Sequence, residues 1–283
     1  MTDHRSAARG KRDVVLTTGA NSGIGLATVI ELARAGYRSI GSVRSEDKAA
    51  KVEKAAAEAG VEVETVLLDV TDAHACDAAL DEVGGDVYAL VNNAGYGMTG
   101  AVEDVTDEEA RQLLETMVIA PMRLARLVLP GMRRSGRGRI VNVSSIMGLV
   151  TSPLTGWYQG AKHALEAVTD ALRIEVAGDG IHVALVEPGG FRTSIWEDME
   201  RDIEKRGASR FGSAYRRSQQ GMRMSSPLMG EPRQCARVIS AAVSSRHPRP
   251  RYLVGMDARA LATMDRFTPT PLKDRITRIA LGL

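Results

Sequence analysis

The chain has 283 residues, 44% of them apolar and 25% charged, enough for one large core or two small ones. Its 37 Lys and Arg against 35 Asp and Glu leave a net charge of +2, too balanced for a nucleic-acid footprint. Two distant cysteines, Cys76 and Cys235, with no Cys or His at ligand spacing, argue against zinc, and no run of about 18 apolar residues offers a membrane span. Residues 1–12 form a polar N-terminal tail without the apolar stretch of a secretory signal, so a cytoplasmic protein with no integral membrane segment is expected. From residue 13 two textures alternate. Residues 14–18 are a short β-branched strand, and 24–35 a helix closed by Gly36. Strands at 39–43 and 61–68 flank an Ala/Lys/Glu helix at 46–59. A helix at 72–83 stops at Gly84-Gly85 before a strand at 87–91. The fourth helix spans 107–134, with Thr106 and Glu109 at capping-box spacing and Pro130 expected to kink or end its regular part. Strands at 139–144 and 181–186 enclose a fifth helix at 158–177.

Continuous apolar strands alternating with helices predict an α/β fold, a doubly wound parallel sheet of about seven strands with helices on both faces. The segment 191–228, rich in Arg, Ser, Met and Gly with weak periodicity, reads as an insertion; a helix at 231–244 and a strand at 252–254 follow. In the tail, Leu272, Ile276, Ile279 and Leu283 are spaced like one helical face. The division expected is one domain over 13–256 and an amphipathic C-terminal tail over 257–283.

Thr18-Gly19-Ala20-Asn21-Ser22-Gly23-Ile24-Gly25 joins the first strand to the first helix. Glycines there permit a tight turn and let backbone N–H groups approach a pyrophosphate at the positive end of a helix dipole. The form T-G-x-x-x-G-I-G resembles the short-chain dehydrogenase/reductase family, and further matches follow in order. They are Asp69-Val70 after the third strand, Asn92-Asn93-Ala94-Gly95 after the fourth, and Pro188-Gly189-Gly190-Phe191-Arg192-Thr193 after the sixth. The resemblance implies a Rossmann-type fold. It places Gly19, Asn21, Ser22, Gly23, Ile24, Asp69, Val70, Asn93, Ala94, Gly95, Pro188, Gly189 and Thr193 around a nicotinamide dinucleotide.

Tyr158 and Lys162 stand four residues apart, hence on one face of a helix. A nearby ammonium lowers the pKa of a phenol, which suits it to proton transfer near neutrality. Ser145, thirteen positions upstream, matches the family serine that holds the substrate oxygen; Ser144 is its competitor. The resemblance implies alcohol–ketone interconversion with Tyr158 as acid/base, Ser145 on the carbonyl, and Lys162 on Tyr158 and the nicotinamide ribose. One position departs: Glu115-Thr116-Met117-Val118 carries Met117 where the family has an Asn that holds a proton-feeding water. A replacement relay, another proton route, and reduced activity as a dinucleotide-binding sensor or scaffold all follow as alternatives.

At the end of the second strand Val43 replaces the carboxylate of NAD-preferring relatives and Arg44 follows, so NADP(H) is favoured over NAD(H). Trp196, Met199, Phe211, Met222, Met224 and Met229 serve either as an adaptable lid over a lipophilic substrate or as ordinary packing. Arg192, Arg201, Arg206, Arg210, Arg216 and Arg217 serve either an acidic substrate group or a solvated face. Trp157 either walls the cleft or packs; His163 points away from the Tyr/Lys face. By resemblance, the fourth and fifth helices are expected to pair in a homodimer or homotetramer, and the partner is a small carbonyl or alcohol.

Overall fold

Strands that are apolar on both faces must be covered on both faces, and that is how this chain folds. A computed structural model describes residues 12–84 and 86–283. The tail expected at 1–12 therefore lies outside the described residues except for Arg12, as does Gly85 of the predicted glycine stop. Seven strands form one sheet: β1 (Val14–Thr17), β2 (Arg38–Val43), β3 (Glu64–Leu67), β4 (Val87–Asn92), β5 (Gly138–Val143), β6 (Ile181–Pro188) and β7 (Arg251–Val254). Their order is β3-β2-β1-β4-β5-β6-β7, with every neighbouring pair parallel. The order reverses between β1 and β4, and the C-terminal strand ends there define the crevice where such sheets bind ligands.

The helices are α1 (Gly23–Arg34), α2 (Glu46–Glu58), α3 (Ala73–Val83), α4 (Asp107–Leu114), α5 (Ala120–Ser135), α6 (Gly156–Glu175), α7 (Ile195–Lys205), α8 (Gly212–Ser225), α9 (Pro232–Ser244), α10 (Met256–Phe267) and α11 (Thr270–Leu281). Alternation along β1 shows how the layers form. Val14 and Leu16 join Leu124 and Val128 of α5 and Cys76 of α3, whereas Val15 joins Leu32 of α1 and Cys235 and Ile239 of α9. Both cysteines are thus buried free thiols on opposite faces of the sheet.

Three expectations need correction. The single fourth helix is α4 and α5 joined by a π-helical turn, Glu115–Ile119. Pro130 neither ends α5 nor coincides with its terminus. Pro130 and Arg126 lie on the exposed side, where water can satisfy the carbonyl that proline leaves free, while Leu129 and Met132 stay locked in the core. The region 191–228 is largely helical. Ile195, Met199 and Ile203 recur every four residues, with Met199 and Ile203 buried, while the exposed Arg201 and Lys205 pair with the less exposed Asp198 and Asp202 one turn before them. The Thr106–Glu109 capping box forms as its spacing predicted.

Candidate active site

The turn after β1 is shaped by backbone rather than side chains. Gly19 and Gly23 have φ of +67° and +53°, where a side chain is strained. A Cβ on Gly25 would lie 2.2 Å from the Gly19 carbonyl oxygen, so helix and turn touch because no side chain intervenes. Ser22 starts α1 without a side-chain cap, which leaves the first-turn amides free of intrahelical partners. The turn is clamped to the loop after β4. Asn93 donates from Nδ2 to the Thr18 and Gly19 carbonyl oxygens at 3.0 and 3.2 Å, and the Thr18 hydroxyl accepts from the amides of Asn93 and Ala94 at 3.0 and 2.9 Å. An uncapped helix start behind a glycine cradle fits a pyrophosphate.

The other expected cofactor residues stand in varied settings. Thr193 comes across from the segment after β6, where a Cβ on Gly23 would meet its methyl at 3.0 Å. Between the turn and that segment lies a cavity of about 610 Å³ lined by Gly23, Thr193, Trp196, Met222 and Met229. Asn21 and Ile24 are half-buried in the turn itself. Arg44 is exposed one residue past β2 and, among the described residues, has no ion-pair partner. Asp69 is spent locally: its Oδ1 accepts from the Thr71 hydroxyl at 2.7 Å and amide at 3.0 Å, which holds its carboxyl below the usual carboxylate range. Val70 is buried in the core beside it. Gly189 and Gly190, after Pro188, are pinned by the C-terminal segment, since the Gly190 amide donates to Asp257 at 2.6 Å.

The face of α6 that carries Tyr158 and Lys162 is buried; Tyr158 is 4% exposed and Lys162 6%. Lys162 donates to the Val143 carbonyl at the end of β5 at 3.0 Å, and its Nζ lies 5.9 Å from the centre of the Tyr158 ring. Burial pushes the phenol up to about 12, and the Ser145 hydroxyl pulls it partly back. Burial likewise brings the ammonium down to about 8, against the attraction of Glu166. Desolvation by burial therefore dominates both groups, with the Lys162 ammonium on the same buried face as the phenol. A neutral phenol is the proton-donating form.

Ser145 and Ser144 part company. Ser145 accepts from the Met147 amide and lies by Tyr158, whereas the Ser144 hydroxyl is buried without a partner on the side of Gly148 and Glu166. Tyr96, Met98, Met147, Trp157 and Ile195 pack around Tyr158, so the mouth of the site is apolar. Met117, 1% exposed in the π turn, joins this cluster and reaches Gly95, where a Cβ would meet its methyl at 3.2 Å. His163 pairs with the Gln159 carbonyl, away from Tyr158.

The arginines of the insertion are mostly engaged. Arg206 is buried between Glu109 and Asp202; the exposed Arg192 pairs with Glu231, Arg201 with Asp198 and Arg210 with Glu103, while the exposed Arg216 and Arg217 have no ion-pair partner among the described residues. Three groups escaped the sequence reading. Asn142 accepts from Asn92 and donates to Thr169, joining β4, β5 and α6. Gln159 holds Ser152 and Thr155 in the loop before α6. Glu166 and Glu187 meet at Arg251; Glu166 follows Lys162 by four residues, a helical-face signal present in the sequence. Among the described residues there is no cluster of His, Cys, Asp and Glu fit for a metal, and no helix is long and apolar enough to cross a membrane.

Comparison with known proteins gives this geometry its context. The sequence model of the short chain dehydrogenase family matches residues 13–204. Retinol dehydrogenase 5 of Homo sapiens is 30% identical over 93% of this chain and 86% of its own. The crystal structure of a short-chain dehydrogenase from Streptomyces avermitilis superposes with a TM-score of 0.76 at 32% identity, covering 95% of this chain and 96% of that one. An actinorhodin polyketide ketoreductase with NADPH superposes at 0.73 and 27% identity, over 86% and 95% of the two chains.

Proposed function

Because the chain belongs to the short chain dehydrogenase family and is an oxidoreductase of it, we propose that it interconverts a lipophilic secondary alcohol and its ketone with NADP(H), using Tyr158 as acid/base. The observation that carries this reading is the half-buried Ser145 set against the buried Tyr158 and Lys162 among apolar side chains, on a chain whose first strand ends in the glycine cradle. Bound NADPH would supply the hydride. The substrate oxygen sits between the Ser145 hydroxyl, which donates to it, and the neutral Tyr158 phenol, which gives up its proton as negative charge develops. Lys162, fixed by the Val143 carbonyl, stabilises the phenolate so formed. Oxidation runs the same contacts backwards.

The helix start at Gly23 and the amides of 19–25 hold the pyrophosphate, Thr193 and Ser194 close over it, and Arg44 takes the 2′-phosphate. Asn93 and Gly95 shape the wall under the nicotinamide. A lipophilic substrate is supported by the apolar cluster at Tyr158 and by the likeness to a retinol dehydrogenase; NADP(H) is supported by Arg44 and the likeness to a ketoreductase with NADPH. A homodimer or homotetramer through α4, α5 and α6 belongs to the same reading, and Ile119 and Ile174 are exposed on that side at 46% and 69%. The second reading, a dinucleotide-binding sensor, rests on the buried thioether of Met117, which cannot donate a proton.

Titration with NADPH and NADH, followed by nicotinamide fluorescence and a ketone screen, separates the readings. Tighter NADPH binding is expected, with ketone turnover that falls by about 10²–10⁴-fold in Tyr158→Phe while NADPH affinity holds. Binding without turnover of any ketone favours the sensor, and binding of neither nucleotide defeats both readings.

A further inference from the structure

Behind Lys162 the same face of α6 continues through Glu166 to Asp170, at successive four-residue steps. Glu166 is 5% exposed, and its Oε1 is buried with no partner, as is the hydroxyl of Ser144. Both atoms converge on Gly148, where a Cβ would lie 2.9 Å from Ser144 Oγ and 3.1 Å from Glu166 Oε1. From β6 the carboxyl of Glu187, 1% exposed, comes alongside, and Arg251 of β7 bridges the two acids, with Nη1 on Glu166 and on Glu187 at 2.6 Å. The other nitrogen of Arg251 donates to Asp170 at 2.5 Å, and Arg173 donates to the second oxygen of Asp170 at 3.0 Å. Arg251 and Asp170 are about one-third exposed, so the row runs from the buried ammonium to solvent.

We propose that Glu166 and Glu187 are a proton-sharing carboxyl pair that restores the proton of Lys162 from solvent, along the face of α6 that continues from Lys162 to Asp170. The inference rests on the ketone-reducing reading above. In reduction the substrate alkoxide takes the phenolic proton, Lys162 returns a proton to the phenolate, and the pair passes one proton to the amine, becoming fully ionised. Water at the Asp170–Arg251 rim then reprotonates the pair; no electrons move in these steps. Two facing buried carboxyls cannot both ionise cheaply, so one proton is retained between them. Burial and the neighbouring Glu166 charge push Glu187 up to about 7 although Arg251 opposes it. The groups that face the pair are Lys162 and Asp170 on α6, Arg173 beyond them, Arg251 on β7 and the Ser144 hydroxyl at the end of β5. Glu166 and Glu187 touch no reacting atom and are positioning residues.

The test begins without substrate. Infrared difference spectra of the NADPH complex across pH 5–9 should show a protonated-carboxyl band that titrates near pH 7 and is lost in Glu187→Gln. The same substitution should shift the titration of Lys162 followed by nitrogen NMR. In turnover, Glu166→Gln and Glu187→Gln should lower kcat about tenfold above pH 7, enlarge the solvent deuterium isotope effect, and leave KM near the wild-type value, with Glu187→Asp restoring part of the rate. Absence of the band, or variants that keep the wild-type pH profile and isotope effect, would overturn the proposal. Should a variant fail to fold, the wild-type band and the Lys162 titration still decide it. A wild-type protein that shows the band and reduces no ketone overturns the ketone-reducing reading instead.

Discussion

Lys162 shows how one residue sets the conditions of the site. Its ammonium gives up its proton near pH 8 in the folded chain, against 10.5 for an unburied lysine. Between these values the unfolded chain binds more protons, so the stability contributed by this group rises with pH from 8 to 10.5. Below pH 8 the buried charge is a constant burden. Lys162→Met should therefore be more stable than wild type at pH 7, by at most about 3 kcal/mol. That advantage should shrink as pH climbs to 10, which urea unfolding at several pH values would reveal. An advantage independent of pH would mean that the lysine is solvated in solution. Function is the counterweight: under the proposed reaction the variant should lose turnover, because the Lys162 ammonium, 5.9 Å from the centre of the Tyr158 ring, is the charge that would stabilise a phenolate there.

At the scale of elements, catalysis rests on contacts that glycine makes possible. Gly25→Ala would drive a methyl into the Gly19 carbonyl and the Asn93 amide, 2.2 and 2.5 Å from the position its Cβ would occupy. The turn must open by at least an ångström, at a cost of about 1–3 kcal/mol. NADPH affinity should fall more steeply than melting temperature, since the moved backbone is the turn proposed to hold the pyrophosphate. Calorimetric binding and thermal unfolding of the same sample would separate the two. This turn was legible from sequence because T-G-x-x-x-G-I-G is local and sits between a recognisable strand and helix. The π turn at Glu115–Ile119 was not, since its cause is tertiary: Met117 must enter the Tyr158 cluster and Arg123 must reach Glu115 at 2.6 Å. Helix α7 was legible and was passed over, for Ile195, Met199 and Ile203 have plain helical spacing beneath a crowd of charges. Pro130 removes one helical hydrogen bond, but it lies on the exposed side of α5, where water can take up the freed carbonyl, and the helix runs on to Ser135.

Across the whole molecule, the far C-terminus reaches back to the crevice. Asp257, second residue of α10, accepts the Gly190 amide and fills the space beside Gly189, while Leu281 of α11 packs with Phe211 and Tyr215 near α8. The sequence does not pair Asp257 with Gly190, because the link spans 67 residues. Asp257→Ala should cost about 1 kcal/mol of stability and loosen the Gly189–Gly190 loop; under the proposed cofactor site KM for NADPH should rise several-fold with kcat less affected. Unchanged cofactor kinetics would confine Asp257 to a structural role. The tail expected as a separate amphipathic segment is thus two helices joined to the domain, although Leu272, Ile276 and Ile279 remain exposed.

The excursion between β6 and α9 leaves and returns through a single gate. Phe191 and Gly230 bridge in parallel, with the Gly230 amide on Gly190 and the Arg192 amide on Gly230. Pinning the two ends side by side fixes the closure entropy of everything between them, and that entropy grows only logarithmically with length. The segment between is nonetheless welded to the domain: the Thr99 amide donates to Asp202, the Ala101 amide to the Tyr215 hydroxyl, and Arg206 is buried against Glu109. An added or deleted residue between 193 and 229 is therefore cheap in chain entropy only where it leaves these three anchors in place.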